Sequence, residues 1–399
     1  MIVGVPKETF PGERRVALFP GVAQQLVKIG HSVLLEFGAG EAAGFLDAAY
    51  QENGAQIAPN RAEVFTAADV IVQVRAPGAN PEAGKSDIEL LRNGQFLIGF
   101  CEPFTAGDET RAVAARGAAL LSMELMPRIT RAQSMDALSS MATIAGYKAV
   151  LLAADALPRM FPMLMTAAGT IAPARVLVIG AGVAGLQAIA TARRLGAVVS
   201  GYDVRTAVKE QVESLGAKFV VLDLETGAAE GKGGYAKAMD EAFYRRQREL
   251  MTQVVREQDV VITTAAVPGK RAPILITREM VQAMSPGSVV IDIAAERGGN
   301  CEITKPGETV VERGVSVLGP LNLPSAIPYH ASQLYARNVL TFIKHLTKEG
   351  RINLDLKDEI TRDTLVTHGG EVVNPRVREA IGLPALPSET GTPAVAAAS

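Results

Sequence analysis

The sequence predicts an α/β fold with two doubly wound parallel-sheet domains that are joined by two long helices. Three observations support this prediction. Short runs of β-branched and aliphatic residues alternate with helical patterns over residues 1–122, and such alternation is typical of a parallel sheet covered by helices. The same alternation resumes over residues 157–323. Long helical patterns at 136–156 and 325–347 lie on either side of this second unit.

The two long helices imply that the second domain is inserted into the first. The chain would leave the first domain through one helix and rejoin it through the other, so the first domain comprises residues 1–135 and 325–382. The inserted domain comprises residues 136–324. Residues 383–399 are rich in Pro and Ala and are expected to form a flexible tail. A ligand site is expected in the cleft between two such domains.

Within each domain, the apolar runs place the strands in order along the chain. The first domain has predicted strands at 2–5, 32–35, 70–74, 96–100 and 119–121, and predicted helices at 22–29, 61–67 and 109–116. The second domain has predicted strands at 176–179, 198–202, 219–222, 260–263, 289–293 and 315–318. Residues 225–240 interrupt this rhythm with four glycines. This stretch is either a surface loop or a lid over a bound ligand, and Tyr235 favours the lid.

Three glycines, Gly180, Gly182 and Gly185, follow the first strand of the second domain in G-x-G-x-x-G spacing. In this motif the first glycine allows a tight turn, the second lets the backbone approach a pyrophosphate, and the third lets the next helix pack on the strand. The pyrophosphate would bind the N–H groups at the helix N-terminus. With Ala181 and Val183, these glycines predict a Rossmann-like dinucleotide site. The alternative is a glycine turn without a ligand.

An acidic residue, Asp203, follows the next strand, 18 residues after Gly185. A carboxylate in this position binds the adenosine ribose hydroxyls and repels a 2′-phosphate, so the predicted cofactor is NAD(H) rather than NADP(H). Arg205 would weaken that preference. The remaining candidate cofactor-binding residues in this part of the sheet are Val204, Ala265 and Ala266.

Composition argues against several other functions. The net charge of −2 and the lack of a long basic run do not suit nucleic-acid binding. The two cysteines and four dispersed histidines show no metal-ligand spacing, so no metal is predicted. The N-terminus shows no signal-peptide pattern, and the uncharged run at 314–336 contains three prolines, which do not suit a lipid-facing helix. We therefore expect a cytoplasmic protein without direct membrane insertion.

Two segments carry a family resemblance. The opening GVPKE and ERRVAL, at residues 4–8 and 13–18, resemble the alanine dehydrogenase/transhydrogenase superfamily. Residues 127–140, PRITRAQSMDALSS, are similar to the Arg-Gln-Asp loop in the NAD(H)-binding component of proton-translocating NAD(P) transhydrogenase. The resemblance covers nearly the whole chain except the tail, and includes the glycine-rich lid with Gly234 and Tyr235.

The resemblance implies an activity and a set of partners. It implies an alpha-1 subunit, a peripheral homodimer that passes hydride directly from NADH to NADP⁺ on a separate NADP(H)-binding component. Membrane-spanning subunits would couple this transfer to proton translocation, so the dimer would associate with the inner membrane through its partners. The runner-up interpretations are an alanine dehydrogenase acting alone and a non-enzymatic NAD-binding module.

The loop also has a physical interpretation from its residues. Asp136 and Ser139 have i, i+3 spacing and would share one helix face, where their donors and acceptors suit a nicotinamide carboxamide. Gln133 would reach the other ring, and Arg128 would orient the loop or the phosphates. The alternative is an ordinary helix start with Asp136 or Ser134 as its N-cap.

The alanine dehydrogenase resemblance weakens at the residues that carry its chemistry. That family's substrate-carboxylate arginine matches Arg15, but its substrate lysine falls on Arg75, its catalytic histidine on or near Phe100, and its aspartate on Glu296. Reducing a keto or imino acid requires a proton donor near the reacting carbon. Hydride transfer between two nicotinamide C4 atoms requires only distance and orientation. The residues therefore favour the transhydrogenase branch.

Overall fold

The structure is a computed structural model that describes residues 1–222, 241–265 and 271–386. The first six strands are β1 (Ile2–Val5), β2 (Ser32–Glu36), β3 (Gln56–Ala58), β4 (Val70–Arg75), β5 (Phe96–Phe100) and β6 (Ala119–Ser122). The helices among them are α1 (Pro20–Lys28), α2 (Asp47–Glu52), α3 (Arg61–Ala67), α4 (Gly84–Leu90) and α5 (Gly107–Ala115). The long helix α6 (Ala137–Ala156) follows.

The remaining elements continue in chain order. The strands are β7 (Leu164–Thr166), β8 (Gly169–Ile171), β9 (Arg175–Ile179), β10 (Val198–Tyr202), β11 (Lys218–Phe219), β12 (Val260–Thr263), β13 (Val289–Asp292), β14 (Thr309–Glu312), β15 (Val315–Leu318), β16 (Thr347–Lys348), β17 (Arg351–Ile352), β18 (Leu365–His368) and β19 (Glu371–Val372). The helices are α7 (Val183–Arg194), α8 (Lys209–Ser214), α9 (Glu241–Arg256), α10 (Arg278–Ala283), α11 (Pro328–Leu346), α12 (Glu359–Thr364) and α13 (Pro375–Ala380).

Two large sheets organise these elements. The first has the order β19-β18-β6-β5-β4-β1-β2-β3, and the second has the order β11-β10-β9-β12-β13-β15-β14. Six strands in each sheet are parallel and follow a doubly wound order, in which the direction of winding reverses beside the first strand. These reversal points lie between β1 and β4 and between β9 and β12. Ligands of doubly wound sheets bind outside the carboxyl ends of the strands at such points.

The central strands are apolar on both faces because helices cover both sides of each sheet. All residues of β12 and β13 are buried, as are the last four residues of β9. The chain returns to the first sheet after α11, where β18 pairs antiparallel with β6 and β19 extends the edge. The chain thus leaves the first sheet, forms the second and returns, which is the order that an inserted domain would give. The domain boundaries stay predictions: 1–135 with 325–382, 136–324, and 383–399.

The long helix α6 packs against both α7 and α11. It lies close to α7 at Gly146, where an added Cβ would lie 2.1 Å from the carbonyl oxygen of Ala184. Such a distance requires glycine, so the small residues of this helix serve close packing. Among the described residues, α6 is also the one helix with the length and apolar composition to cross a membrane, a test that buried core helices also pass.

Several predicted elements differ from the observed ones. The second long helix begins at Pro328 rather than 325, because residues Leu323–Ala326 form a separate 3₁₀ turn. The predicted strand 219–222 is confined to Lys218–Phe219 at the sheet edge. The sheets are mixed, since β14 and β19 are antiparallel edge strands and β18 pairs antiparallel with both β19 and β6. The edge strands β14 and β19 are short or half exposed, so the pattern of buried runs does not reveal them.

Candidate functional site

The glycine turn joins β9 to α7 at the reversal point of the second sheet. Gly180 has φ of +100°, a conformation that side-chain-bearing residues rarely adopt. A Cβ at Gly185 would lie 1.7 Å from the carbonyl oxygen of Gly180, so glycine is needed for helix and turn to meet. A Cβ at Gly182 would meet no atom within 4 Å among the described residues. The open space over Gly182 lies at the N-terminus of α7, where a pyrophosphate would fit.

Asp203 follows β10 and is buried beside the turn. Its Oδ2 accepts the N–H of Ala181 at 2.8 Å, and its Oδ1 accepts the N–H of Arg205 at 2.8 Å. The Arg205 guanidinium also binds both oxygens, with Nε–Oδ1 at 2.9 Å and Nη2–Oδ2 at 2.8 Å. The carboxylate therefore orders the glycine turn and already has a cationic partner. A ribose diol would have to share or displace Arg205.

The neighbouring strand β12 ends on the same edge of the sheet. Thr264 donates its hydroxyl to the carbonyl of Gly180 at 3.0 Å. Asn300 holds Ala265 from both sides, since its Oδ1 accepts the Ala265 N–H at 3.0 Å and its Nδ2 donates to the Ala265 carbonyl at 2.8 Å. Asp292 in turn accepts the backbone N–H of Asn300 at 2.7 Å. Ala265 is thus held in place opposite the glycine turn.

The polar loop before α6 brings its predicted residues onto one short segment. Residues Thr130–Met135 form a 3₁₀ turn on which Gln133 is exposed, and Arg128 is exposed just before it. Asp136 is the N-cap of α6, with its Oδ1 accepting the Ser139 N–H at 2.8 Å and its Oδ2 accepting the Ser139 hydroxyl at 2.6 Å. The capping alternative is therefore observed, and capping fixes the shared orientation of the two side chains.

The loop begins the same helix, α6, that contacts α7 just after the glycine turn. Ser139 precedes Gly146 by two helical turns, or about 10 Å along the axis, and Gly146 contacts the first turn of α7 at Ala184. An extended ligand bound over Gly182 could therefore reach the loop. Gly234, Tyr235 and Ala266, and the predicted lid as a whole, lie outside the described residues.

The reversal point of the first sheet holds a buried ion pair. Glu13 binds Arg15 through both carboxylate oxygens, with Oε1–Nε at 2.7 Å and Oε2–Nη2 at 2.6 Å. Arg75 binds the same carboxylate at 3.1 Å and stacks over the ring of Phe10, 4.1 Å from its centroid. Arg15 and Arg75, which match the substrate arginine and the substrate lysine of the alternative activity, are thus already paired with Glu13.

Burial and charge move the pKa values of this cluster apart. Burial alone would raise the pKa of Glu13, but the hydrogen bonds and charge of Arg15 outweigh it and lower that pKa to about 2. Burial and the charge of Glu13 raise the pKa of Glu8 to about 8, against the N–H groups of Val74 and Arg75. Glu13 is therefore the permanent anion of the cluster.

Asn322 connects this cluster to the second sheet, and a separate ion pair also joins the two sheets. Asn322 donates its Nδ2 to Glu13 at 3.0 Å, accepts from Arg15 at 3.2 Å, and gives its backbone N–H to Glu296 at 2.7 Å. Arg297 forms an ion pair of 2.7 Å with Glu102. Asn322 has φ of +46°, which asparagine tolerates better than most residues. These polar contacts join segments that follow strands of the first sheet to segments that follow strands of the second sheet.

Family models and relatives decide the classification. The model described as alanine dehydrogenase/PNT, N-terminal domain, matches residues 4–145, and the model described as alanine dehydrogenase/PNT, C-terminal domain, matches residues 149–375. The chain belongs to the alanine dehydrogenase/PNT family. The predicted family resemblance is confirmed.

Within the alanine dehydrogenase/PNT family, the transhydrogenase relatives are the more similar. The chain is 48% identical over 378 residues to the first part of NAD(P) transhydrogenase subunit alpha of Rhodospirillum rubrum, covering 94% of this chain and 98% of that one. A solved transhydrogenase from Sinorhizobium meliloti matches with a TM-score of 0.84 and 45% identity, covering 94% of this chain and 100% of that one. Alanine dehydrogenase of Halomonas elongata is 32% identical, covering 96% and 97%. The predicted α/β fold is confirmed.

Some polar residues near the two reversal points carried no assigned role from the sequence. Thr264, Asn300 and Asn322 form hydrogen bonds to groups far away in sequence, so their spacing gives no signal. Glu13 lies inside the recognised ERRVAL segment, and its pairing with Arg15, two residues away, was open to prediction from that spacing.

Proposed function

We propose that this chain is the NAD(H)-binding subunit of a proton-translocating transhydrogenase. In this role it holds NADH and transfers hydride directly to NADP⁺ on a partner component, while membrane-spanning subunits couple the transfer to proton movement. The bound dinucleotides supply both reacting C4 atoms, so one C–H bond breaks, another forms with the same electron pair, and no proton is needed from the protein.

The observation that carries this proposal is the contrast between the two reversal points. Among the described residues, no atom lies within 4 Å of a Cβ placed on Gly182 at the helix N-terminus of the second sheet, and this space suits a dinucleotide. In the first sheet Arg15 and Arg75 are paired with Glu13, and Phe100 packs against Tyr335 at 5.3 Å between ring centroids. The second sheet has room for a cofactor, whereas the two arginines at the first sheet already have a carboxylate partner, which favours transfer between nucleotides over reduction of a small keto acid.

Each site residue has a proposed task. The first-turn N–H groups of α7, over Gly182, bind the pyrophosphate, and Asp203 binds the adenosine ribose with Arg205 as its partner. Asp136 and Ser139 orient the nicotinamide carboxamide, Gln133 reaches toward the second ring, and Arg128 orients the loop. The remaining proposed contact residues are Gly180, Ala181, Val183, Gly185, Val204, Gly234, Tyr235, Ala265 and Ala266.

We further propose that the chain is a homodimer whose interface includes the hairpin of β7 and β8. Met163, Leu164, Met165 and Ile171 of this hairpin are 57, 38, 73 and 47% exposed, and an isolated two-stranded hairpin is marginally stable in water. The segment from Met160 to Ala174 contains no charged residue, so a second copy meets no like-charge repulsion. The dimer would lie in the cytoplasm, at the inner membrane through its partner subunits.

The test measures hydride transfer by stopped-flow absorbance. The purified chain is mixed with NADH and with the NADP(H)-binding component of a transhydrogenase loaded with an NADP⁺ analogue. We expect fast transfer that needs both proteins and that falls in Gln133→Asn and Asp136→Asn. Asparagine can still cap α6 at position 136, so a loss there reports on the site rather than on folding.

Two other outcomes would contradict the proposal. NADH oxidation by pyruvate and ammonia with this chain alone would indicate an amino-acid dehydrogenase. NADH binding without transfer to any partner would indicate a binding module.

A further inference from the structure

The 3₁₀ turn Thr130–Met135 is held on both sides of Gln133. Before Gln133, Ala132 is fully buried, and after it Met135 is 5% exposed, both within the core of the first sheet. The backbone carbonyl of Ser134, which directly follows Gln133, accepts a hydrogen bond from Nδ2 of Asn338 at 2.8 Å. Gln133 itself is exposed, so its backbone is fixed while its side chain faces outward.

The need to satisfy buried hydrogen-bonding groups does not explain why an asparagine occupies position 338. Asn338 lies on α11 and is only 6% exposed, and its Oδ1 is buried without a hydrogen-bond partner among the described residues. Ser134 is exposed, so water can reach this part of the turn. A buried acceptor without a donor destabilises a protein, whereas an apolar side chain would suit this position. Such local conflicts concentrate at functional sites.

A second contact to the turn is weaker. Arg131 pairs with Asp358 at 2.9 Å, and Asp358 also accepts from His345 at 2.9 Å. The Arg131 side chain is 60% exposed, and exposed ion pairs contribute little because solvent screens them. Asn338 is therefore the main polar restraint on the turn.

We infer that Asn338 is a positioning residue that holds the turn so that Gln133 meets the transferring nicotinamide. This inference rests on the proposed function. It extends that function to a residue on α11 whose side chain, among the described residues, donates to the Ser134 carbonyl. Asn338 acts through the Ser134 carbonyl, so its loss should change orientation during transfer rather than NADH binding.

The test compares Asn338→Leu and Asn338→Asp with Thr341→Val. Leucine matches the asparagine in size without a donor, and aspartate keeps the shape but replaces Nδ2 with an acceptor. Thr341 lies on the same helix, and its hydroxyl donates to Arg337 within the helix, so it serves as the control. Hydrogen exchange of peptides covering 128–136 measures the turn directly, and stopped-flow transfer with the partner component measures its consequence.

We expect faster exchange in residues 128–136 alone, and a hydride-transfer rate constant lowered by about 10- to 100-fold, the scale for misplacement by about 1 Å. The NADH Kd should stay within about twofold, and Asn338→Leu should unfold at the parent temperature or above it. Unchanged exchange, or faster exchange with unchanged transfer, would overturn the inference. So would a rise in NADH Kd that accounts for the slower transfer.

Failure of the proposed function is recognised separately. In that case the parent chain itself transfers no hydride to the partner component, and Asn338 has no transfer to support. In the other case the parent transfers hydride and only the comparison among variants fails.

Discussion

Replacing two glycines of the same turn by alanine should have opposite consequences. Gly182 is the N-cap of α7 with φ of −80° and ψ of −168°, a conformation open to alanine, and its Cβ would enter open space. The reduced entropy of the unfolded chain favours alanine by about 0.4–1 kcal/mol, and the poorer N-cap opposes this by a similar amount. Gly182→Ala should therefore leave the free energy of unfolding nearly unchanged.

The Gly182→Ala change should instead weaken NADH binding. The new methyl group occupies the space where the pyrophosphate would approach the first turn of α7. Losing one charge-assisted hydrogen bond costs about 1.5–3 kcal/mol, which raises the NADH Kd by about 10- to 100-fold. A fluorescence titration of NADH, with urea unfolding of the same preparation, measures both quantities.

Gly185→Ala is the matched partner because it makes the same chemical change three positions later. Its Cβ would lie 1.7 Å from the Gly180 carbonyl oxygen, so helix and turn must separate by roughly 1 Å, at a cost of at least about 3 kcal/mol. We expect urea unfolding at clearly lower concentrations. The reasoning would be refuted if Gly182→Ala bound NADH as tightly as the parent, or if Gly185→Ala were as stable as the parent.

Three further predictions follow from the site and the hairpin. Because the folded pKa of Glu13, about 2, lies below its ordinary value of 4.5, this carboxylate contributes about 3 kcal/mol to the free energy of unfolding above pH 4.5 and loses that contribution toward pH 2. Urea unfolding of Glu13→Gln should lack this pH-dependent component, and a pH dependence identical to that of the parent would contradict the assignment. Arg205→Met removes the cation beside Asp203, so the Kd for NADPH should rise relative to the Kd for NADH in parallel titrations. We expect a change in this ratio of about tenfold, which corresponds to about 1.4 kcal/mol. An unchanged ratio would show that Arg205 does not weaken the preference for NADH over NADPH. Met165→Asp places a charge in the proposed dimer interface, at a position that is 73% exposed in one chain. Light scattering should therefore find monomers at micromolar concentration, and the thermal midpoint should not change. A persistent dimer would exclude the hairpin from the interface.

The sequence alone determined the parts of the fold that depend on local pattern. Strands such as Val260–Thr263 are short β-branched runs, and their burial on both faces follows from a covered parallel sheet. The glycine turn was also predictable, because three glycines at fixed spacing between a strand and a helix allow a tight turn and close backbone contacts that other residues prevent. The spacing of Asp136 and Ser139 predicted that their side chains lie together, and the structure joins them through the N-cap bonds of Asp136.

Tertiary structure decided everything that depends on contacts between distant segments. Asp203 has the expected place after its strand, but only the fold shows that Arg205 and the Ala181 N–H already use its oxygens. Asn322 reaches Glu13 across 309 residues of sequence, and Asn338 reaches Ser134 across 204. Hydrogen bonds of this kind are set by the packing of whole helices and sheets against each other. The spacing of residues predicts local periodic structure, but it does not show which polar groups, distant in sequence, come within about 3 Å of each other when the chain packs.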